Sequence, residues 1–375
     1  MTVAIDLIST NLGSGTKTYN INLCNELNLL TSPSKIKIFI CRSYLKQIKK
    51  KKNKKIEYII KPDFLSLSLI KMLWMQLIFP FELKLLGVKK LYSPMNFTPF
   101  VSKFFNIKSV LCLHSNLPWV YFDLMPGNLI KKFFIKKLME ISIYSCDVLI
   151  VNSIFAKKEL IKILRLHKKN IKVIHLGINE NFLLKKNKQK IKSFNYNQKY
   201  ILSVISCVKY HNIINLLKAY NLFSKEHNFK LILVLQVLDK SYFFDIKKFI
   251  QNHSLENKIL ILNDLNHSQL PELYKNAKAY IFTSYCEVFG LTSLEAMTQR
   301  TPVAVSKNSA LPEINKKAAL YFDPDDVNSI LYTLKNVVFN KKVRKKLIYK
   351  SRNLLKKYDV KKNIKKTIKI IHNLN

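Results

Sequence analysis

Residues 285 to 297 read Tyr-Cys-Glu-Val-Phe-Gly-Leu-Thr-Ser-Leu-Glu-Ala-Met, which sets two carboxylates, Glu287 and Glu295, around a Phe-Gly-Leu turn. An apolar run from Ala279 to Thr283 predicts a strand before the turn, and Thr292 to Gln299 predicts a helix after it. A turn of this kind aims the backbone N–H groups of Gly290, Leu291 and Thr292 at one spot. A helix N-terminus there favours an anion such as a diphosphate. The two acids stand too close to that spot to bind phosphate themselves. They suit hydroxyl groups attached to the phosphate, and a nucleotide sugar carries both. On spacing alone, an ordinary strand–Gly–helix unit with two solvated acids fits equally well.

Elements along the whole chain must position this segment. Strands are predicted at Val3–Leu7, Ile36–Cys41, Lys90–Tyr92, Ser109–Leu113, Val148–Val151 and Lys172–His175. A second series follows at Tyr200–Val204, Lys230–Leu235, Lys258–Leu262, Ala279–Thr283 and Pro302–Val305. Helical patterns fill the gaps. This alternation predicts an α/β chain of two doubly wound parallel sheets. The Lys- and Asn-rich stretch 185–198 reads as a linker, giving domains 1–184 and 185–375. A basic helical segment, about Val327 to Leu374, closes the chain, its last helix able to pack back on the first domain.

The chain has 375 residues, 48% of them hydrophobic, enough for two globular domains. A formal net charge of +41 first suggests nucleic acid. Arginine, the usual reader of bases and phosphates, is confined to Arg42, Arg165, Arg300, Arg344 and Arg352, and no binding motif is present. Abundant Lys, Asn, Ile, Phe and Tyr with scarce Gly and Arg fit the drift of an AT-rich coding sequence. No nucleic-acid partner is therefore expected, although so basic a surface is drawn to anionic membranes. The scattered cysteines (24, 41, 112, 146, 207, 286) lack metal-ligand spacing and predict reduced core thiols of a cytoplasmic protein. The first residues enter a strand at once, so no signal peptide is expected. The most apolar stretch, Phe64–Phe81, is broken by Lys71 and Pro80 and falls short of the ~20 apolar residues that span a bilayer.

Glu287 to Glu295 resembles the E-x7-E motif of family 4 glycosyltransferases, which share the GT-B fold. Other segments are similar to that family in order along nearly the whole chain: Gly13-Ser-Gly15 with Tyr19, Trp74-x-Gln76, Tyr92-Ser-Pro94, Leu113-His114, and Asp147 through Ser153 with Lys157–Leu160. They continue with Ile171 through Asn179, Leu270–Tyr274, Pro302-Val303, Leu311-Pro-Glu313 and Tyr321-Phe-Asp-Pro324. The resemblance implies two Rossmann-like domains facing across a cleft. It implies retaining transfer of a hexose from a nucleotide-diphosphate sugar, as co-substrate, without a metal or other cofactor. The donor would lie on the second domain, and a glycan or lipid-linked acceptor would dock on the first.

By that resemblance Glu287 accepts hydrogen bonds from the hexose and helps an oxocarbenium-like transition state, Glu295 holds the ribose, and His114 reaches the transferred sugar. Gly13 and Gly15 permit close backbone approach at the first βα turn. The diphosphate clamp departs from the family. Ser206 stands where Arg is expected and His211 where Lys is expected, so Lys209 is the expected substitute, with His211 a pH-sensitive donor. Ser115 follows His114 where Asp is usual, and Arg300 replaces a Gly. Asp323-Pro-Asp325 spells D-x-D, a metal motif of a different glycosyltransferase fold, but its position fits a family 4 loop. The leading expectation is an enzyme of bacterial surface polysaccharide or lipopolysaccharide synthesis. It would be cytoplasmic and held reversibly at the inner membrane face by the lysines of 46–55 and the apolar stretch after them. The alternatives are a catalytically weak or inactive member that binds nucleotide sugar or a partner enzyme, and a sugar-nucleotide epimerase on the same fold.

Overall fold

Apolar runs too continuous to leave one face wet must be covered on both, the condition of parallel strands beneath crossover helices. The computed structural model describes residues 2–8, 14–28, 34–46, 48, 53–178, 182, 189–191, 194–263 and 265–374. A seven-stranded sheet comprises β1 (Thr2–Leu7), β2 (Lys35–Cys41), β3 (Ile56–Lys61), β4 (Lys90–Ser93), β5 (Lys108–Leu113), β6 (Val148–Val151) and β7 (Ile171–Val173), in the order β3-β2-β1-β4-β5-β6-β7. A six-stranded sheet comprises β8 (Tyr200–Cys207), β9 (Lys230–Val237), β10 (Ile259–Asn263), β11 (Ala279–Phe282), β12 (Val303–Ser306) and β13 (Ala319–Phe322), in the order β10-β9-β8-β11-β12-β13. Every pairing in both sheets is parallel. The order reverses between β1 and β4 in the first sheet and between β8 and β11 in the second. Ligands of open α/β sheets bind at such switch points, beyond the carboxyl ends of the strands.

Two strands, β3 and β13, were not expected from the sequence, and both lie on sheet edges. An edge strand has one neighbour and need not be a continuous apolar run, as in β3; β13, Ala-Leu-Tyr-Phe, is apolar but only four residues long. In β3, Glu57 and Ile60 are exposed.

The chain divides into one unit of Met1–Asn116, Leu129–Gly177 and Val360–Asn375, and another of Leu117–Asn128 and Ile178–Asp359. After the excursion of Leu117–Asn128, the chain leaves the first unit at Gly177. Each unit also takes a segment that linear order would give to the other. Gly177 shows why the close of the chain belongs to the first unit: a Cβ there would lie 2.1 Å from the Cα of Val360, where the last helix starts. That helix, Val360–His372, is tied down at its end, where Lys90 Nζ donates to the His372 carbonyl at 2.7 Å. The basic closing segment is three helices, Val327–Phe339, Lys341–Leu355 and Val360–His372.

Several motif positions serve as scaffold. Asp147 accepts the Ser109 N–H at 2.7 Å, joining the starts of β5 and β6. Ser153 caps the helix Ile154–Leu164, accepting from Ala156 N–H at 3.1 Å. Lys157 Nζ reaches the Ile171 carbonyl at 3.2 Å. All six cysteines are buried and none forms a disulfide. The apolar stretch resolves into the helices Ser68–Leu77 and Phe79–Leu85. Trp74, Met75 and Phe79 face the core, while Leu73, Leu77, Ile78 and Phe81 are more than half exposed. Lys71, which interrupts the stretch, points inward, its Nζ 3.8 Å from the buried carboxylate of Asp6. Lys49 to Lys52 lie outside the described residues.

Candidate active site

In the second unit β11 ends at Phe282, and the chain turns through 283–290 into the helix Leu291–Thr298. Gly290 is its N-cap, with φ 83° and ψ 52° and no side-chain cap. A Cβ at Gly290 would lie 2.5 Å from Leu311 Cδ2, so conformation and crowding both demand glycine. The backbone of Glu287 is pinned on both sides. Its N–H donates to Ser309 Oγ at 2.9 Å and its carbonyl accepts from Ala310 N–H at 3.1 Å. The Glu287 side chain, 19% exposed, sets Oε1 3.2 Å from His211 Nε2. His211 comes from the 3-10 turn Lys209–His211 that follows β8, across the switch point from β11. Its Nδ1 donates to the Ser206 carbonyl at 2.7 Å, and its own carbonyl accepts from Thr283 Oγ1 at 2.9 Å. The imidazole thus meets an acceptor on each nitrogen and has no freedom to turn.

Glu295 is a buried acid. One oxygen lies 3.1 Å from His267 Nε2, and the other accepts from Tyr274 Oη at 3.3 Å. The reading of two solvated acids is therefore incorrect: the helix turns Glu295 inward, and Glu287 is mostly buried and paired with His211. His267 follows β10, so three loops at the carboxyl edge of one sheet supply these groups. Thr292 is anchored through Oγ1, which accepts from Tyr280 Oη at 2.8 Å. Leu291 is buried. Lys209 is exposed, two residues before His211. Asp323 and Asp325 serve different partners. Lys307 Nζ lies 2.7 Å from Asp323 and, with the Asp325 N–H, holds that carboxyl below its usual range, while Asp325 accepts from Tyr285 Oη at 2.8 Å.

In the first unit His114 follows β5. Its N–H donates to Asn96 Oδ1 at 2.6 Å, fixing the loop after β4 against the loop after β5. Its Nδ1 lies 3.1 Å from Asn152 Nδ2, and its ring packs on Tyr19, with centroids 5.1 Å apart. Although the residue is part-exposed, Nε2 is sealed from solvent and makes no hydrogen bond among the described residues. Burial pushes the imidazole pKa down to about 4, with the nearby Pro94 carbonyl opposing in smaller part. Gly13 lies outside the described residues. Gly15 stands in the first turn of the helix Ser14–Leu27, where its φ is ordinary and nothing lies within 4 Å of a Cβ placed there.

Residues 185–354 match the model of the family "Glycosyl transferases group 1". Through this stretch the chain is similar to the group 1 glycosyl transferases. It is similar to the O-antigen chain mannosyltransferase RfbU of Salmonella typhimurium, at 28% identity over 60% of this chain and 60% of that one. It is also similar to the O-antigen chain mannosyltransferase B of Escherichia coli, at 33% identity over 36% of this chain and 35% of that one. These alignments take in less than two thirds of either relative's length. Among solved structures it resembles that of Anabaena Alr3699/HepE in complex with UDP, with TM-score 0.71 and 13% identity, covering all of both chains. The two parallel α/β sheets are the GT-B architecture.

Within the second unit the structure brings Glu287 together with His211, and Glu295 together with His267 and Tyr274. It does not bring Lys209 to either acid. His267 was missed in the sequence. Only its place after an apolar strand, at the end of the sheet that carries the turn, could have marked it. Tyr274 lay inside the run Leu270–Tyr274 that resembles the family. Arg300 adopts φ 61°, a conformation suited to the glycine it replaces.

Proposed function

We propose that this chain is a retaining glycosyltransferase. It moves a hexose from a nucleotide-diphosphate sugar to a glycan or lipid-linked acceptor in surface polysaccharide or lipopolysaccharide synthesis. One observation carries the reading: Glu287 and Glu295 flank a glycine-capped helix N-terminus at the β8/β11 switch point, each acid held by an imidazole. In this reading Glu287 accepts from sugar hydroxyls and stabilises positive charge at the anomeric carbon, where preorganised groups act most strongly. Glu295 holds the ribose. The helix N-terminus, with Lys209, meets the diphosphate in place of a metal, while His211 is engaged by Ser206 and Glu287. His114 serves the transferred sugar, and the open space over Gly15 admits a ligand to the first βα turn. Both relatives are named O-antigen mannosyltransferases, and the Anabaena structure holds UDP, which supports this class of donor and product.

The chain acts at the inner face of the membrane as a peripheral protein. No helix among the described residues is long and apolar enough to cross a bilayer. The first unit instead presents Leu77, Ile78, Phe81 and Leu85, and on other helices Phe104, Ile130 and Phe133, all more than half exposed. Lysines such as Lys84 and Lys103 stand among them, and anionic lipid attracts such a surface by roughly 1 kcal/mol per basic residue.

The test begins with thermal shifts against UDP-, GDP-, dTDP- and CMP-sugars, mannosyl donors first. A donor at 100 times its Kd stabilises the native state by ~2.7 kcal/mol. With the donor in hand, Glu287→Gln should mainly lower kcat and Glu295→Ala mainly raise the donor KM. Undiminished turnover by Glu287→Gln would refute the assignment, and loss of turnover in EDTA with recovery on Mg2+ would refute the metal-free site. Donor binding without transfer to any acceptor would favour the inactive-member alternative.

A further inference from the structure

The polar chain behind His114 has a definite sense. Asn152, 1% exposed, lies at the end of β6, next to the strand that delivers His114. Its Nδ2 lies 3.4 Å from the Leu113 carbonyl and 3.1 Å from His114 Nδ1. On the other side of the amide, Oδ1 lies 3.9 Å from Cys112 Sγ. A carbonyl oxygen can only accept, so the amide atom facing Leu113 must be the nitrogen. The thiol agrees. Burial raises the Cys112 pKa to about 12, so it remains S–H and donates weakly to the amide oxygen. With the amide fixed, one of its two hydrogens goes to Leu113 and the other to His114 Nδ1. Nδ1 is then the acceptor of the ring, and the proton of the neutral imidazole resides on Nε2.

We infer that Asn152 is a positioning residue that fixes His114 as the neutral Nε2–H tautomer, making it a hydrogen-bond donor to a ligand oxygen and not a base. Nε2 is buried and makes no hydrogen bond among the described residues, the Pro94 carbonyl is an acceptor beside the ring, and burial keeps the ring neutral down to acid pH. An oxygen acceptor, whether a sugar hydroxyl or a phosphate oxygen, satisfies the Nε2–H. The inference rests on the proposed function only in taking His114 as ligand-facing.

Long-range 1H–15N spectra of the full chain labelled with [15N]histidine test this, with the His114 signals assigned by their loss in His114→Gln. At pH 7 the expected result is a pyrrole-type, protonated Nε2 and a pyridine-type Nδ1, with no change down to pH 5. Asn152→Asp replaces the donor by an acceptor and should move the ring proton to Nδ1. Asn152→Ala should leave a mixture of tautomers. A protonated Nδ1 in the wild-type chain overturns the inference, as does a wild-type pattern kept in Asn152→Ala. Should Asn152→Asp fail to fold, the wild-type and Asn152→Ala spectra still decide. None of these readouts requires turnover, so failure to transfer a sugar would overturn the proposed function and leave the tautomer standing.

Discussion

The turn that carries Glu287 is held by Gly290, and Gly290→Ala measures how firmly. Two costs are separable. At φ 83° an L-residue is strained by about 1–2 kcal/mol. The new methyl would also fall 2.5 Å from Leu311 Cδ2, on a side chain that is fully buried. Displacing a packed group to relieve such an overlap costs about 1–3 kcal/mol. The substitution should therefore destabilise the second unit by about 2–5 kcal/mol. Leu311→Ala alone should cost about 2–5 kcal/mol through its cavity. In that background the overlap is gone, and Gly290→Ala should cost only the strain, about 1–2 kcal/mol. The cycle thus has a favourable coupling of about 1–3 kcal/mol. The chain offers a clean reporter: of its two tryptophans, Trp74 lies in the first unit and Trp119 in the second. Urea unfolding followed by fluorescence in a Trp74→Phe background reads the second unit without assuming that both melt together. A cost below about 0.5 kcal/mol in both backgrounds would show that the turn does not hold the left-handed conformation. A full cost with no coupling would show that Leu311 is not the obstacle.

Acid should weaken the first unit through His114. Its folded pKa of about 4 lies below the ordinary ~6.5, so between those values the unfolded chain binds more protons, and stability falls as pH drops from 6.5 toward 4. The loss is at most about 3 kcal/mol and smaller where the part-exposed ring is screened. Trp74 fluorescence in a Trp119→Phe background should show this slope reduced in His114→Gln, and an unchanged slope would refute the burial argument. Arg300→Gly relieves a left-handed arginine on an exposed site and should stabilise by roughly 0.5 kcal/mol, after the added chain entropy is allowed for; a loss on urea unfolding would contradict it. Asp6→Asn strands the buried Lys71, whose pKa burial already lowers, and should cost about 3 kcal/mol. Adding Lys71→Met to Asp6→Asn removes both charges and should fall within about 1 kcal/mol of wild type. Equal losses from the two variants would show that the pair contributes net stability.

What the sequence revealed and what it concealed follow from how far each feature reaches along the chain. Strands buried on both faces announce themselves by composition, and eleven of the thirteen were legible in that way. Of the two that were not, the edge strand β3 is interrupted by the exposed Glu57, and the edge strand β13 is apolar but only four residues long. The glycine-capped turn was legible because strand, turn and helix are contiguous, and the capping geometry of Gly290 is a local property. The partners of the acids are not local. His211 lies 76 residues before Glu287, and His267 lies 28 before Glu295. Only the order of strands in the sheet brings their loops to the same edge. The same holds for Asn152, which was visible as one letter of a motif but gains its role from β6 lying beside β5. Lys71 reads in sequence as an interruption of an apolar stretch. Only the fold shows that Asp6, on the central strand β1, stands opposite it. Residue type was therefore a good guide to which groups could act. The protonation state of His114 depends instead on contacts that the sheet order creates.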